Sequence, residues 1–130
     1  MIEGLAERLA ALPRERTQAL PALHLLHDLA GCLAPAGLEQ IAAWLHIPQS
    51  DLYAVATSYS EFRLRPLAPG AVLVCTGLSC RIAGSAEVER RLREQGRAVE
   101  ETECLFVCGV APAVEVDGQV RGRVGAEALP

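Results

Sequence analysis

The chain contains no lysine and no asparagine, and aromatic residues make up only 4% of its 130 positions. Lacking lysine, it has no Schiff-base nucleophile and no phosphate-loop lysine; lacking asparagine, it has no N-glycosylation acceptor. All 12 basic residues are therefore arginine, set against 16 acidic ones for a formal charge of −4. A net acidic chain does not offer the basic face that nucleic acid requires, so no nucleic-acid partner is expected. Long apolar runs are missing as well. No stretch reaches the roughly 18 uninterrupted apolar residues of a membrane helix, so direct membrane insertion is not expected. Met1-Ile-Glu-Gly4 lacks the basic and apolar regions of a secretory signal. Five cysteines, an odd number, suit a reducing compartment better than a disulfide framework, and the expectation is a cytoplasmic protein. The length allows one domain or two very small ones. Units of about 60 residues bury only about 60% of their unfolded surface, so each half needs a cofactor, its sibling or a partner as a staple.

Against these absences stand four cysteines in two pairs, Cys75-Thr-Gly-Leu-Ser-Cys80 and Cys104-Leu-Phe-Val-Cys108. A C-x4-C pair followed at a distance by C-x3-C matches neither zinc-knuckle spacing nor a C-x-x-C redox motif. It fits a [2Fe–2S] cluster, in which two irons each take two thiolates. Ordinary buried thiols are one rival reading, and a closed all-cysteine zinc site is another. Cys32 stands alone beside Gly31 and reads as a structural thiol. His24, His27 and Asp28 share one helical face, but no Glu-x-x-His partner appears elsewhere, so a solvated stripe or an interface contact is expected. Arg90, Arg91 and Arg93 alternate with Glu87, Glu89 and Glu94 as on a solvated helix. No nucleophile–base pair, phosphate loop or paired-carboxylate site can be argued.

The apolar period changes midway. Ile2, Leu5, Leu9 and Leu12 recur at helical spacing until Pro13. A second helix is expected from about Arg14 to Ala30, ending at Gly31, with Pro21 marking a kink or a late start. Pro35 and Pro48 each open a further helix, the last with Leu52, Val55, Ala56 and Tyr59 inward. Leu64 to Gly70 reads as a linker. Beyond it, Ala71–Cys75 is a short, continuously apolar strand, followed by a helix over Ile82–Gln95 and a strand over Arg97–Glu103. Asp117-Gly118 between two short strands is a type I′ hairpin signal. The expected fold class is α/β: a four-helix segment over 1–64, then a small α/β domain over 65–130.

The cysteine pairs, Tyr53-Ala-Val-Ala-Thr57-Ser-Tyr59, Arg65-Pro-Leu-Ala-Pro-Gly70 and Gly109-Val-Ala-Pro112 together resemble the thioredoxin-like [2Fe–2S] subunit of respiratory complex I. The resemblance runs from about Pro13 to Val124, and it extends equally to the related subunits of NAD-linked hydrogenases and formate dehydrogenases. Two positions depart from the family pattern, with Ser58 in place of a Phe and Phe106 in place of a Gly. The segment between Cys80 and Cys104 is also shorter than usual.

The resemblance implies that the second domain is thioredoxin-like, with both pairs in loops at the ends of its first two strands. Cys75 and Cys80 would hold one iron, and Cys104 and Cys108 the other. Thr76, Gly77 and Gly109 would aim backbone N–H groups at cluster sulfurs. Phe106 would screen the cluster or re-aim its loop. The implied role is electron transfer beside a flavoprotein subunit that binds FMN and NAD(H), with further iron–sulfur subunits, in a complex that can face the cytoplasm from a membrane. Hydride chemistry would lie in the partner. The helical half would clamp that partner, because some 60 residues are not expected to bury Leu5, Leu9, Leu12, Leu23, Leu26, Leu38, Ile41 and Trp44 among themselves. A free-standing [2Fe–2S] ferredoxin and a zinc-stabilised assembly module are the alternatives.

Overall fold

A computed structural model describes residues 1–125 of the chain; the last five residues of the expected second domain lie outside the described residues. Two compact units are present, the first ending at Pro66 and the second beginning at Leu67.

The first unit is helical: α1 (Leu5–Leu9), a 3-10 turn (Arg16–Gln18), α2 (Ala19–Ala30), α3 (Pro35–Leu45) and α4 (Gln49–Ser58). The second helix starts later than the apolar spacing suggested. Pro21 thereby falls in the first turn of α2, where its missing N–H has no intrahelical acceptor to forgo. Gly31 closes the helix in the left-handed region at φ 69°, as a C-terminal glycine does. Pro35 occupies the first turn of α3. A Cβ at Gly37 would run into the Leu26 side chain, so this glycine lets α3 approach α2.

Of the eight apolar residues expected to exceed what this unit can bury, six are buried, while Leu12 and Trp44 stay partly exposed. Leu5, Leu9, Leu23, Leu26, Leu38 and Ile41 are at most 3% exposed and belong to one core drawn entirely from residues of this unit. Short helices joined by tight turns let these leucines face one another. Trp44 is half-buried against the same core, with the Arg14 guanidinium 5.9 Å from its ring centroid and Arg14 Nε donating to the Trp44 carbonyl at 2.7 Å. Tyr59, expected on the inner face of α4, lies one residue past the helix in extended backbone and is 44% exposed. Ser58 donates its hydroxyl to the Ala54 carbonyl. The His24–His27 stripe packs on an aromatic ring rather than facing only solvent. Phe62 lies 4.9 Å from His24 and 5.8 Å from His27 between ring centroids, and His24 Nε2 sits 3.1 Å from Glu61 Oε1. Cys32 is buried.

The second unit contains β1 (Val72–Cys75), α5 (Leu78–Ile82), α6 (Ser85–Glu94), β2 (Val99–Thr102), a 3-10 turn (Cys108–Val110), β3 (Val114–Val116) and β4 (Gln119–Arg121). The strands run in the order β2-β1-β3-β4. The central β1 is parallel to β2, with Val72 opposite Val99 and Cys75 opposite Thr102, and antiparallel to β3. All four β1 residues are buried, which explains the unbroken apolar run. Val72, Val74, Val88, Leu92, Val114 and Val124 form the core. The helix expected over Ile82–Gln95 starts at Ser85, because Gly84 adopts φ 100° ahead of it, and the short α5 precedes it unforeseen. Asp117 and Gly118 both have positive φ, 51° and 76°, as a type I′ turn requires. On α6, Arg90 and Arg91 hydrogen-bond the Glu87 carboxylate and hold it down at about 2, in keeping with a solvated, charge-laced face.

Candidate metal centre

The parallel register of β1 and β2 is what brings the two cysteine pairs side by side. Cys75 is the last residue of β1, and its partner Thr102 is the last of β2. The chain segments that carry both pairs therefore leave the sheet at the same end. Thr76 fastens them together: its N–H and its hydroxyl both donate to the Thr102 carbonyl, at 2.8 and 3.0 Å. Beyond it the two backbones nearly touch. A Cβ on Gly77 would lie 2.8 Å from the Glu103 carbonyl oxygen and 3.6 Å from Cys75 Sγ.

Cys75 and Cys80 are each 2% exposed. Cys80 sits on α5, so the expectation that both pairs lie wholly in loops is corrected for this residue. Burial pushes the Cys80 thiol up, and hydrogen bonding with Cys75 adds to the rise. The Ala113 backbone N–H opposes it, while the charges of Cys75 and Cys108 reinforce it. Three of the four thiols thus share one electrostatic neighbourhood. Cys104 is half-buried and its sulfur accepts the Phe106 N–H at 3.2 Å; Cys108 is exposed at the start of the 3-10 turn. Leu105, Val107 and Ala111 pack over Cys75, Cys80 and Ala113.

One expectation about donors changes. The Thr76 N–H is spent on the sheet and does not face a sulfur. Gly109 is not required by close approach, since a Cβ there would meet nothing within 4 Å. Phe106 is 64% exposed. Its φ of 61° lies in the left-handed region that suits the glycine usual in the family pattern and costs other residues about 1–2 kcal/mol. Sequence reasoning missed Ala113, because a backbone donor leaves no mark in side-chain identity.

A closed zinc site needs all its thiolates on one ion. A two-iron cluster asks instead for thiolates in pairs, with backbone donors and little room around them. The contact between Cys75 and Cys80, the Ala113 N–H and the tight approach at Gly77 meet those demands. The model of the thioredoxin-like [2Fe–2S] ferredoxin family matches residues 5–130. The chain belongs to that family. Its cofactor is a [2Fe–2S] cluster.

Similar proteins include NADH-quinone oxidoreductase subunits of the E type. The one from Mycobacterium tuberculosis is 33% identical over 123 residues, covering 85% of this chain and 49% of the relative. That of Rickettsia typhi is 32% identical over 116 residues, 79% of this chain and 68% of the relative. That of Rickettsia bellii is 30% identical over 116 residues, 79% and 70%. The chain spans about half the length of the mycobacterial relative and falls in the complex I 24 kDa subunit family. Its helical segment and mixed four-stranded sheet agree with the α/β, thioredoxin-like class.

Gly77 yields a direct test of this geometry. Gly77→Ala places a methyl against the Glu103 carbonyl, a backbone obstacle that cannot rotate away. The loop must shift, and cluster retention after gel filtration is expected to fall about 10–100-fold, the usual range for losing support around a metal site. Unchanged iron content and an unchanged electron paramagnetic resonance line shape would contradict the close approach.

Proposed function

We propose that the chain is an electron-transfer subunit that works beside a flavoprotein subunit binding FMN and NAD(H), in a complex of NADH dehydrogenase type with further iron–sulfur subunits. The carrying observation is the shared end of β1 and β2, where Cys75 and Cys80 are buried while Cys104 and Cys108 lie toward the surface. The bound cluster supplies one-electron uptake and release. In this reading Cys75 and Cys80 hold one iron and Cys104 and Cys108 the other. Gly77 keeps the approach close, and the Ala113 N–H donates to the Cys80 sulfur. Thr76 secures the two loops to each other.

The surface around these cysteines supports a partner there. Leu78 and Ile82 are each 78% exposed and Phe106 is 64% exposed. Each stands two residues from a member of the quartet, so exposed large apolar side chains flank cysteines of both pairs along the chain. Apolar groups in that position favour burial against another protein and would exclude water from the site. In the first unit Leu12, Leu20, Leu25, Leu29 and Trp44 are half-buried, a less exposed apolar surface than this rim. No helix among the described residues is long and apolar enough to cross a membrane. Equivalent service in an NAD-linked hydrogenase or formate dehydrogenase requires the same residues.

The self-sufficient core of the first unit favours a second reading, a free-standing carrier. Co-expression with a flavoprotein encoded beside it decides between them. The expected result is a coloured heteromer that survives gel filtration and is weakened by Leu78→Glu or Ile82→Glu. A coloured monomer with no affinity for that flavoprotein establishes the free carrier instead.

A further inference from the structure

Arg81 follows Cys80 on α5, and its Nε donates to the Thr76 carbonyl at 3.0 Å. That hydrogen bond joins the residue after one cysteine to the residue after the other, closing the Cys75–Cys80 loop across its mouth. Thr76 is itself fixed from the far side by its two hydrogen bonds to Thr102. The Arg81 guanidinium is therefore anchored beside the sulfur-bearing loop rather than carried on a freely rotating stem. Its charge is also not offset. Arg90 and Arg91 are neutralised by Glu87 and Glu94, and Arg93 by Glu89, whereas Arg81 has no carboxylate partner among the described residues.

We infer that Arg81 is a positioning residue that raises the reduction potential at the Cys75/Cys80 side of the site; this rests on the ligand assignment proposed above. Reduction adds one negative charge to the group those thiolates hold. A fixed positive charge next to the loop stabilises the reduced form more than the oxidised form, and so makes the electron easier to accept. Arginine remains protonated throughout the working pH range, so the effect does not titrate. It is screened, because the side chain is exposed to solvent and salt. One exposed charge interaction of about 0.2–1 kcal/mol corresponds to about 1.5- to 5-fold in the reduced-to-oxidised ratio at a fixed potential.

The experiment is a redox titration of the purified holoprotein, followed by electron paramagnetic resonance, for wild type, Arg81→Gln and Arg81→Lys at low and high salt. Arg81→Gln is expected to keep its iron and shift the midpoint to more negative potential. Arg81→Lys, which keeps the charge, stays near wild type, and the gap between wild type and Arg81→Gln narrows at high salt. Should Arg81→Gln load poorly, Arg81→Met, which keeps an unbranched stem without charge, is read in the same way. The inference is overturned if the neutral variant titrates with wild type, if Arg81→Lys falls as far as Arg81→Gln, or if salt leaves the gap unchanged. A wild-type protein without a bleachable visible chromophore overturns the ligand assignment itself, an outcome distinct from a coloured protein whose potential ignores Arg81.

Discussion

Purified Cys75→Ala, Cys80→Ala, Cys104→Ala and Cys108→Ala proteins are each expected to lose the visible absorbance of the wild type, while Cys32→Ala keeps it. Each iron of a four-cysteine [2Fe–2S] site takes two protein thiolates, so removing one leaves an iron short of a ligand. The losses should not be equal. Cys75 and Cys80 are almost wholly buried, so neither water nor a small thiol can reach the vacated position, and the absorbance falls to background. Cys108 is exposed, so a small added thiol can occupy the position left by Cys108→Ala and restore part of the signal. Rescue confined to the exposed position would tie the spectrum to this particular burial pattern. A dispensable member of the quartet, or bleaching in Cys32→Ala, would refute the assignment.

The spacing of the quartet was legible because it depends only on chain order, and the same holds for the Asp117-Gly118 turn and the glycine closing α2. Each is a local signal whose cause lies within a few residues. The apolar run at Ala71–Cys75 was readable for a related reason: a central strand covered on both faces needs no alternation. What escaped is what depends on tertiary register. Nothing in the residue type shows that the Thr76 N–H goes to Thr102, since that follows from Cys75 pairing with Thr102 across a parallel ladder. The Ala113 N–H escaped likewise. Scaling of burial with size did not say which side chains would stay uncovered: Leu5, Leu9, Leu23, Leu26 and Leu38 pack in one core, Leu12 and Trp44 are half-buried, and the exposed apolar side chains include Leu78, Ile82 and Phe106 beside the cysteines. Composition counts apolar residues; it does not say which of them find each other.

That asymmetry between the units sets the expected response to iron removal. The first unit is held by thirteen buried residues of its own, and none of the four paired cysteines belongs to it. Among the described residues, the second unit rests on a core of six, of which five are valines, together with the small group around Cys75, Cys80 and Ala113. In the proposed assignment, iron bound by all four cysteines would tie the end of β1, α5, the segment after β2 and the 3-10 turn into one network. Without it these segments rest on the Thr76–Thr102 hydrogen bonds, the Arg81 brace, the Cys75 N–H to the Ala113 carbonyl, local turn hydrogen bonds and apolar contacts. The segment from Glu103 to Val107 has no regular backbone ladder of its own. Metal binding that organises such loops contributes folding free energy directly. Anaerobic chelation under reducing conditions is therefore expected to raise amide exchange over residues 75–82 and 103–111 by about tenfold or more, equivalent to ~1.4 kcal/mol of local opening free energy. Exchange in β1 and β3 should rise less, because Val72, Val74 and Val114 remain packed, and exchange over residues 5–58 should stay as it was. Equal protection with and without iron would show that the sheet alone holds the loops. Equal loosening of both units would show that the helical segment draws its stability from the cluster, contrary to the self-contained core that its buried leucines describe.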